Sequence, residues 1–240
     1  MIYGTRAVIE AIAAGKEIDK VMIQSGLSND LVKELITVAR NNNVPITFVP
    51  AEKLKRISTK NHQGVICLLS VVSFASVDDL IYRAYNEGRE PFFLILDRVT
   101  DVRNFGAIVR TAECAGVDGI ILPDKGSVPI SSDAMKTSAG ALNHLPICRE
   151  KDLKKTIQLL HDNGIRVVAC TEKTERSIYQ LSLTGPITII LGSEEDGISD
   201  VLLRQADDLA QIPLKGKIGS LNVSVAAGIA LYEVVRQKGL

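Results

Sequence analysis

The chain has 240 residues, 46% of them hydrophobic, which is enough to bury one large core or two smaller ones and excludes a disordered protein. Lys+Arg and Asp+Glu both number 28, so any contact with nucleic acid must come from a local basic patch and not from the overall charge. The four cysteines form no C-x-x-C pair and lie in or beside apolar runs, and no segment resembles a signal peptide or a membrane span, so we expect buried free thiols in a soluble, cytoplasmic protein.

The first 70 residues alternate between helical and strand patterns. RAVIEAIAAG, NDLVKELITVARNNN and AEKLKRI have helical periodicity, whereas KVMIQ, PITFVP and GVICLLS are strand-like. Ser76 is a suitable N-cap for a further helix, which Gly88 and Pro91 close. We therefore predict a small α/β domain over residues 1–73 and a second domain over residues 77–240, with the boundary near Ser73 to Ser76.

Residues 53–64, KLKRISTKNHQG, form the most basic stretch of the first domain. The segment holds five basic side chains and no acidic one; they are Lys53, Lys55, Arg56, Lys60 and His62. Such a density suits contacts with RNA phosphates. The alternative is an ordinary solvated helix face.

The second domain alternates the strands FFLILD, GIILP, VVAC and ITIILG with helical segments, which predicts a mostly parallel sheet with helices on both faces. Neither G-x-G-x-x-G nor G-x-x-x-x-G-K-[ST] is present, which disfavours an ordinary dehydrogenase or a P-loop enzyme. The three histidines lie far apart, and GISDV lacks the last glycine of a nucleophile elbow, so we expect neither a metal site nor serine hydrolysis.

Two loops at the predicted carboxyl ends of strands carry polar groups, and ligands of open α/β sheets bind at these ends. After FFLILD, we expect Asn104 to cap a helix, with Gly106 at its second position and Arg110 at its sixth. After ITIILG, the turn LGSEEDGIS passes Gly192 and presents acidic residues, of which Glu194 could orient an arginine. Taken singly, each loop also fits a purely structural cap or an acidic turn.

A third polar segment is IPLKGKIGSLNVSVAAGIALYEVV, close to the C-terminus. Gly216 and Gly219 permit a tight loop, and Ser220 and Asn222 place polar groups at the start of a helix. The small residues that follow allow close packing, as in a core helix.

Together, N-x-G-x-x-x-R, L-G-x-E-x-x-G and S-L-N-V-S-V-A resemble, in order and spacing over residues 94–237, the three motifs of the SpoU (TrmH-type) RNA ribose 2'-O-methyltransferases of the SPOUT superfamily. IYGTRAVIEAI and NHQGVICLL further resemble the L30e-like RNA-binding domain of the RlmB-like branch, which methylates a guanosine of large-subunit ribosomal RNA. The resemblance implies a trefoil-knot α/β catalytic domain preceded by an L30e-like domain. It also implies S-adenosylmethionine as cofactor, no metal, an RNA partner, and a homodimer formed through the C-terminal knot region.

The resemblance also assigns roles to residues. The implied catalytic residues are Asn104, Arg110, Glu194, Ser220 and Asn222, and the implied cofactor contacts are Thr171, Gly192, Ile212 and Leu221. A guanidinium is effectively always protonated and is a poor general base, so our hypothesis is that Arg110 clamps a phosphate and polarises the hydroxyl while Glu194 orients it. The asparagines would fix the ribose.

This chain departs from the family at one position near the first motif. Many members have Asp-Pro ahead of the catalytic asparagine, whereas this chain has Asp101, Val102 and Arg103 before Asn104. We expect Val102 to loosen the loop and Arg103 to alter how RNA is held.

Three alternatives remain: a transfer RNA substrate, a catalytically silent RNA-binding factor of ribosome assembly, and a Rossmann-like enzyme acting on a small molecule. The L30e-like start favours ribosomal RNA, and the intact polar residues of the three motifs argue against the silent factor. The small-molecule enzyme requires the three-motif match to be a coincidence.

Overall fold

The computed structural model describes residues 1–239, which divide into two compact units. The first is Met1–Ser73 together with Pro129–Ser132, and the second is Phe74–Val128 together with the chain from Asp133 onward. Each unit is described separately.

The first unit is a four-stranded mixed sheet with helices on both faces. Its strands are β1 (Ile2–Tyr3), β2 (Ile18–Gln24), β3 (Ile46–Val49) and β4 (Val65–Leu69), and its helices are α1 (Thr5–Ala13), α2 (Asp30–Asn41) and α3 (Ala51–Ile57). The order is β1-β4-β2-β3, with β3 parallel and β4 antiparallel to β2. Val21 and Ile23 pack with α1 and α2, and Met22 packs with Leu54 of α3, because alternate residues of a strand point to opposite faces.

A short segment from later in the chain completes the first unit. Ile130 is fully buried, its N–H donates to Asp19 Oδ1 (3.1 Å), and its carbonyl accepts from the Val71 N–H (3.3 Å). The predicted domain of residues 1–73 therefore lacks a piece that the structure includes.

The second unit is a seven-stranded sheet in which every neighbouring pair is parallel. Its strands are β5 (Phe74–Ala75), β6 (Phe92–Asp97), β7 (Gly119–Pro123), β8 (Ile147–Glu150), β9 (Arg166–Cys170), β10 (Ile187–Gly192) and β11 (Asp208–Ala210). The order is β11-β9-β10-β6-β7-β8-β5. The four predicted strands are confirmed, and β5, β8 and β11 are additional strands of two to four residues.

Helices cover this sheet on both faces, as predicted. They are α4 (Val77–Asn86), α5 (Val102–Cys114), α6 (Ser132–Thr137), α7 (Leu153–Asp162), α8 (Asp200–Leu203) and α9 (Val223–Lys238). Phe93 and Ile95 of β6 pack with α4 and α7. The alternate residues Leu94 and Leu96 are equally buried and point to the other face, where α9 packs against β10 and α5. Ser76 caps α4, as the sequence predicts.

The cysteines are all free, but they are not all buried. Cys67 and Cys148 lie in the two cores, where burial raises the pKa of the thiols to about 11 and about 12. Cys114 is exposed, so the expectation of four buried thiols is wrong for this residue, which lies on the last turn of α5. No helix within residues 1–239 has the length and apolar character needed to cross a bilayer.

Candidate active site

The first motif lies at the start of α5. The helix begins at Val102 and its N-cap is Asp101, whose carboxylate accepts from the Asn104 N–H (2.8 Å). The prediction that Asn104 is the cap is therefore wrong: Asn104 is the third helical residue, Gly106 the fifth and Arg110 the ninth. Aspartate and asparagine are comparable caps, and here the earlier one occupies the position.

The helical start of α5 also explains the departure at Val102. The first residue of a helix commonly accommodates proline, because its N–H has no partner within the helix. Valine forms the same helical first turn here, so Val102 lies in a helix and not in a loop.

Helix α6 supports this first turn of α5. Thr137 Oγ1 lies 3.1 Å from the Val102 carbonyl oxygen and also within hydrogen-bond distance of the Asp133 carbonyl of its own helix (2.9 Å). A Cβ atom on Gly106 would lie 2.1 Å from Thr137 Oγ1 and 2.7 Å from the Thr137 backbone carbon. Glycine is required at this position because the two helices approach so closely.

The second motif forms a tight turn after β10. The Gly197 N–H donates to the Ser193 carbonyl (3.0 Å), and a Cβ atom on Gly192 would lie 2.1 Å from the Gly197 carbonyl carbon. The turn therefore folds back directly onto the end of its strand. Glu194 projects from this turn.

The third motif forms the start of α9. The helix begins at Val223, and its N-cap is Asn222, whose Oδ1 accepts from the Ser224 N–H (3.0 Å). The cap leaves the Asn222 amide NH2 free to donate elsewhere. Gly228 of α9 lies opposite Thr111 of α5, where a Cβ atom would sit 3.8 Å from the threonine methyl group.

One carboxylate oxygen joins the three motifs. Glu194 Oε1 accepts from Asn104 Nδ2 (3.1 Å), Asn222 Nδ2 (2.8 Å) and the Val223 N–H (3.3 Å). Asn222 Nδ2 also donates to Asn104 Oδ1 (3.0 Å). The Asn104–Glu194–Asn222 cluster thus fixes a carboxylate at the N-terminus of α9, where the helix dipole favours negative charge.

A cavity of about 760 Å³ adjoins the cluster. The four residues that the resemblance implies as cofactor contacts all line it; they are Thr171, Gly192, Ile212 and Leu221. Glu194, Ser220 and Asn222 also line the cavity, whereas Asn104 and Arg110 do not. A volume of this size suits a nucleoside-sized ligand.

The lining of this cavity is acidic. It includes four carboxylates and no lysine or arginine; the carboxylates are Glu172, Glu194, Glu195 and Asp196. A cationic ligand is therefore favoured over an anionic one. Within residues 1–239, no group of three or more His, Cys, Asp or Glu is placed to hold a metal ion.

Arg110 lies apart from the other catalytic candidates. Its side chain is exposed on α5 and makes no hydrogen bond or ion pair with any residue of the described chain 1–239. Glu194 does not orient Arg110, since its bonded oxygen contacts Asn104, Asn222 and the Val223 N–H. The expectation that Glu194 orients this arginine is therefore wrong within the chain.

A different arginine contacts the second motif. Arg98 follows β6 directly and donates to Asp196 Oδ2 (3.1 Å) and to the Gly197 carbonyl (3.1 Å). The sequence analysis missed Arg98 and its partner Asp97. The only available signal was an Asp-Arg pair at the carboxyl end of a buried strand.

In the first unit, the basic segment is half helix and half loop. Lys53, Lys55 and Arg56 are exposed on α3, and Lys60 places its ammonium 5.5 Å from the centre of the Tyr3 ring. His62 Nδ1 accepts from the Gly64 N–H (3.0 Å), so this nitrogen is used within the turn. The lysines and Arg56 remain available to a ligand.

The parallel sheet, the acidic cavity at its carboxyl end and the fixed carboxylate are typical of an α/β enzyme whose ligand is cationic and nucleoside-sized. The profile of the SpoU rRNA Methylase family matches residues 91–232, and a profile for RNA 2'-O ribose methyltransferase substrate binding matches residues 1–73. The chain belongs to the SpoU family of RNA 2'-O-ribose methyltransferases.

Similar proteins match along nearly the whole chain. YacO of Bacillus subtilis, whose name places it in the TrmH family of tRNA/rRNA methyltransferases, is 32% identical over 99% of this chain and 95% of its own. A Staphylococcus aureus protein similarly named is 35% identical over 99% and 96%. An rRNA methyltransferase from Sinorhizobium meliloti, solved with AdoMet bound, is 27% identical with a TM-score of 0.62, covering 95% of this chain and 84% of its own.

S-adenosylmethionine fits the cavity on its chemistry as well as on the family assignment. The cofactor carries a sulfonium, an ammonium and a carboxylate group, so its net charge is positive, and the lining offers four carboxylates. Leu221 and Ile212 supply apolar surface for an adenine ring, and polar backbone at Gly192 lies beside them. The cofactor of this family is therefore compatible with the residues present.

Proposed function

We propose that the protein methylates the ribose 2'-hydroxyl of a ribosomal RNA nucleotide, most closely in the manner of the RlmB-like branch that modifies a guanosine. The observation that carries the proposal is the junction of the three motifs at Glu194, on the wall of the cavity. The substrate-binding match of residues 1–73 supports RNA as the acceptor. A silent RNA-binding factor would have no need for such a fixed carboxylate.

S-adenosylmethionine, when bound, supplies a methyl group that is activated by the adjacent sulfonium. The chain must then position the hydroxyl in line and remove its proton. Glu194 Oε1 is held by three N–H groups, while Oε2 receives no hydrogen bond from residues 1–239. In this proposal Oε2 accepts the hydrogen bond of the 2'-hydroxyl and takes its proton as the oxygen gains the methyl group.

The asparagines then have a role different from the one first expected. Asn222 Nδ2 makes two hydrogen bonds inside the cluster, so it has no hydrogen left for the ribose. Asn104 and Asn222 instead hold Glu194 against the cavity. Ser220, which is exposed at the cavity wall, remains available to contact the nucleotide.

Arg110 enters through a second copy of the chain. Family members are homodimers in which C-terminal helices pack together, and α9 exposes Val225 (50%) and Tyr232 (49%). Arg110 lies on α5, which packs beside α9, and it has no ion-pair partner within residues 1–239. We place its guanidinium in the partner's site, where it clamps the phosphate next to the reacting ribose.

The basic segment of residues 53–64 selects the RNA in this proposal. Its exposed cations on α3 suit the phosphates of a hairpin, which is recognised largely by shape and backbone. Deleting residues 1–72 would not test this cleanly, because Ile130 is buried in the same unit and would be uncovered. Charge substitutions on α3 leave the core intact.

The test is transfer of labelled methyl from S-adenosylmethionine to ribosomal RNA and transfer RNA purified from cells that lack this gene. The proposal predicts label in one hairpin of the large-subunit RNA, lost in an Asn222→Ala variant. Label in transfer RNA would keep the chemistry and contradict the substrate. Cofactor binding without any transfer would support the silent assembly factor.

A further inference from the structure

Residues 193–199, the catalytic turn, carry Glu194, and residues 193–197 of the turn line the cavity. The turn leaves β10 at Gly192, which pairs with Asp97 in the sheet. It returns at Ser199, whose N–H donates to Asp97 Oδ2 (2.7 Å). The buried carboxylate of Asp97 therefore lies beside both ends of the turn.

Arg98 contacts the middle of the same turn. Its Nη1 donates to Asp196 Oδ2 (3.1 Å) and its Nη2 to the Gly197 carbonyl (3.1 Å). Its Nε donates to Asp97 Oδ1 (3.1 Å), and Nη2 also reaches Asp97 Oδ2 (3.3 Å). One guanidinium thus links the base of the catalytic turn to its far side.

The backbone of Arg98 is in an unusual conformation. Its φ is 60°, in the left-handed region that residues other than glycine, asparagine and aspartate seldom adopt. Such a conformation persists only where surrounding contacts hold it. The hydrogen bonds of Arg98 to Asp97 and to the catalytic turn are contacts of this kind.

We infer that Arg98, held by Asp97, is a positioning residue that keeps Glu194 in the Asn104–Glu194–Asn222 cluster. The inference rests on the proposed function, because it assigns Arg98 to the same site. Arg98 does not touch the reacting atoms, and it acts only through the catalytic turn. Lysine cannot replace it fully, because an ammonium lacks the planar fork that contacts the three partners.

The matched variants are Arg98→Ala and Arg98→Gly. Both remove the guanidinium, but glycine adopts φ near 60° without strain, so Arg98→Gly should melt at or above the temperature of Arg98→Ala. If positioning matters, both lose methyl transfer to the same extent despite their different stabilities. Arg83→Ala is the control, since it removes an ion pair between two exposed side chains, Arg83 of α4 and Glu87 at the C-cap of that helix.

The first measurement is hydrogen–deuterium exchange of the protein without ligands. We expect faster exchange over residues 193–199 in both Arg98 variants and wild-type exchange in Arg83→Ala. The second is steady-state methyl transfer, whose kcat should fall at least about tenfold in both variants while the KM for RNA changes by less than about twofold. Arg98→Lys should recover part of the kcat.

Unchanged exchange over residues 193–199, or wild-type transfer by Arg98→Gly, would overturn the inference. The two proposals fail separately. If the wild type transfers no methyl to RNA but the turn still exchanges faster in both variants, the positioning by Arg98 stands and the proposed function fails.

Discussion

Gly192→Ala adds one methyl group at the point where the catalytic turn folds back onto β10. The new Cβ would lie 2.1 Å from the Gly197 carbonyl carbon, 2.2 Å from the Ile198 nitrogen and 2.3 Å from the Gly197 oxygen. Non-bonded carbons rest about 3.5 Å apart, so the turn must move by more than about 1 Å. All three contacts are backbone atoms, which cannot rotate away as a side chain can.

The size of the effect follows from this geometry. Overpacking of this kind costs about 1–3 kcal/mol in the free energy of unfolding. Displacing the turn also moves Glu194 and the cavity wall, and we expect cofactor affinity to fall at least tenfold, or about 1.4 kcal/mol. Urea unfolding followed by circular dichroism measures the first effect and titration calorimetry with S-adenosylmethionine the second.

Gly219→Ala is the matched control for this prediction. Gly219 lines the same cavity, its φ is not positive, and a Cβ there would meet no atom within 4 Å. Its unfolding free energy should stay at the wild-type value or rise slightly. A Gly192→Ala protein with the wild-type urea midpoint and cofactor affinity would refute the argument from close approach.

Four further predictions concern other parts of the chain. Asp19→Ala should lower the free energy of unfolding by about 1–3 kcal/mol, because the buried Ile130 N–H loses its acceptor. Asp19→Asn keeps an acceptor oxygen and should lower it by less. Equal decreases for the two variants in urea unfolding would contradict this. Ellman's reagent at pH 8 should modify exposed Cys114 first and should reach Cys67 and Cys148 only on unfolding. Burial raises the pKa of Cys67 to about 11 and that of Cys148 to about 12, so both thiols hold little thiolate at pH 8. Rapid modification of Cys148 in the native protein would contradict this prediction. Lys55→Glu with Arg56→Glu should weaken RNA binding and lower its salt slope by about 2, whereas Lys33→Glu on α2 should do neither. Mixing Arg110→Ala with Glu194→Gln subunits should restore about a quarter of wild-type activity if Arg110 acts in the partner's site, and none if it acts within its own chain.

Much of the fold follows from patterns that the sequence displays openly. FFLILD and ITIILG are buried on both faces and therefore appear as unbroken apolar runs, which is typical of central parallel strands. Strands β5 and β11 have two and three residues, too few for any periodicity. The burial of Ile130 in the first unit depends on a contact with Asp19 more than a hundred positions away in sequence.

The sequence motifs named several residues that the structure brings together, but not all of their contacts. The motifs placed Glu194 and Asn222 together, and the cavity lies where their loops meet. Two cap-type residues three positions apart, Asp101 and Asn104, could not be ranked by sequence, because both side chains accept the same kind of hydrogen bond. Arg98 escaped notice because its importance comes from a left-handed backbone and distant partners, neither of which has a sequence signature.

The most direct test of the account is the chemical position of the transferred methyl group. RNA labelled by the wild-type enzyme would be hydrolysed in alkali, which cleaves beside every free 2'-hydroxyl and leaves a dinucleotide wherever that oxygen is methylated. The account predicts label in alkali-resistant dinucleotides and a single-turnover rate at least about 100-fold lower in Glu194→Gln, because the neutral amide cannot take the hydroxyl proton. Label in mononucleotides carrying a methylated base, or a wild-type rate in Glu194→Gln, would contradict it.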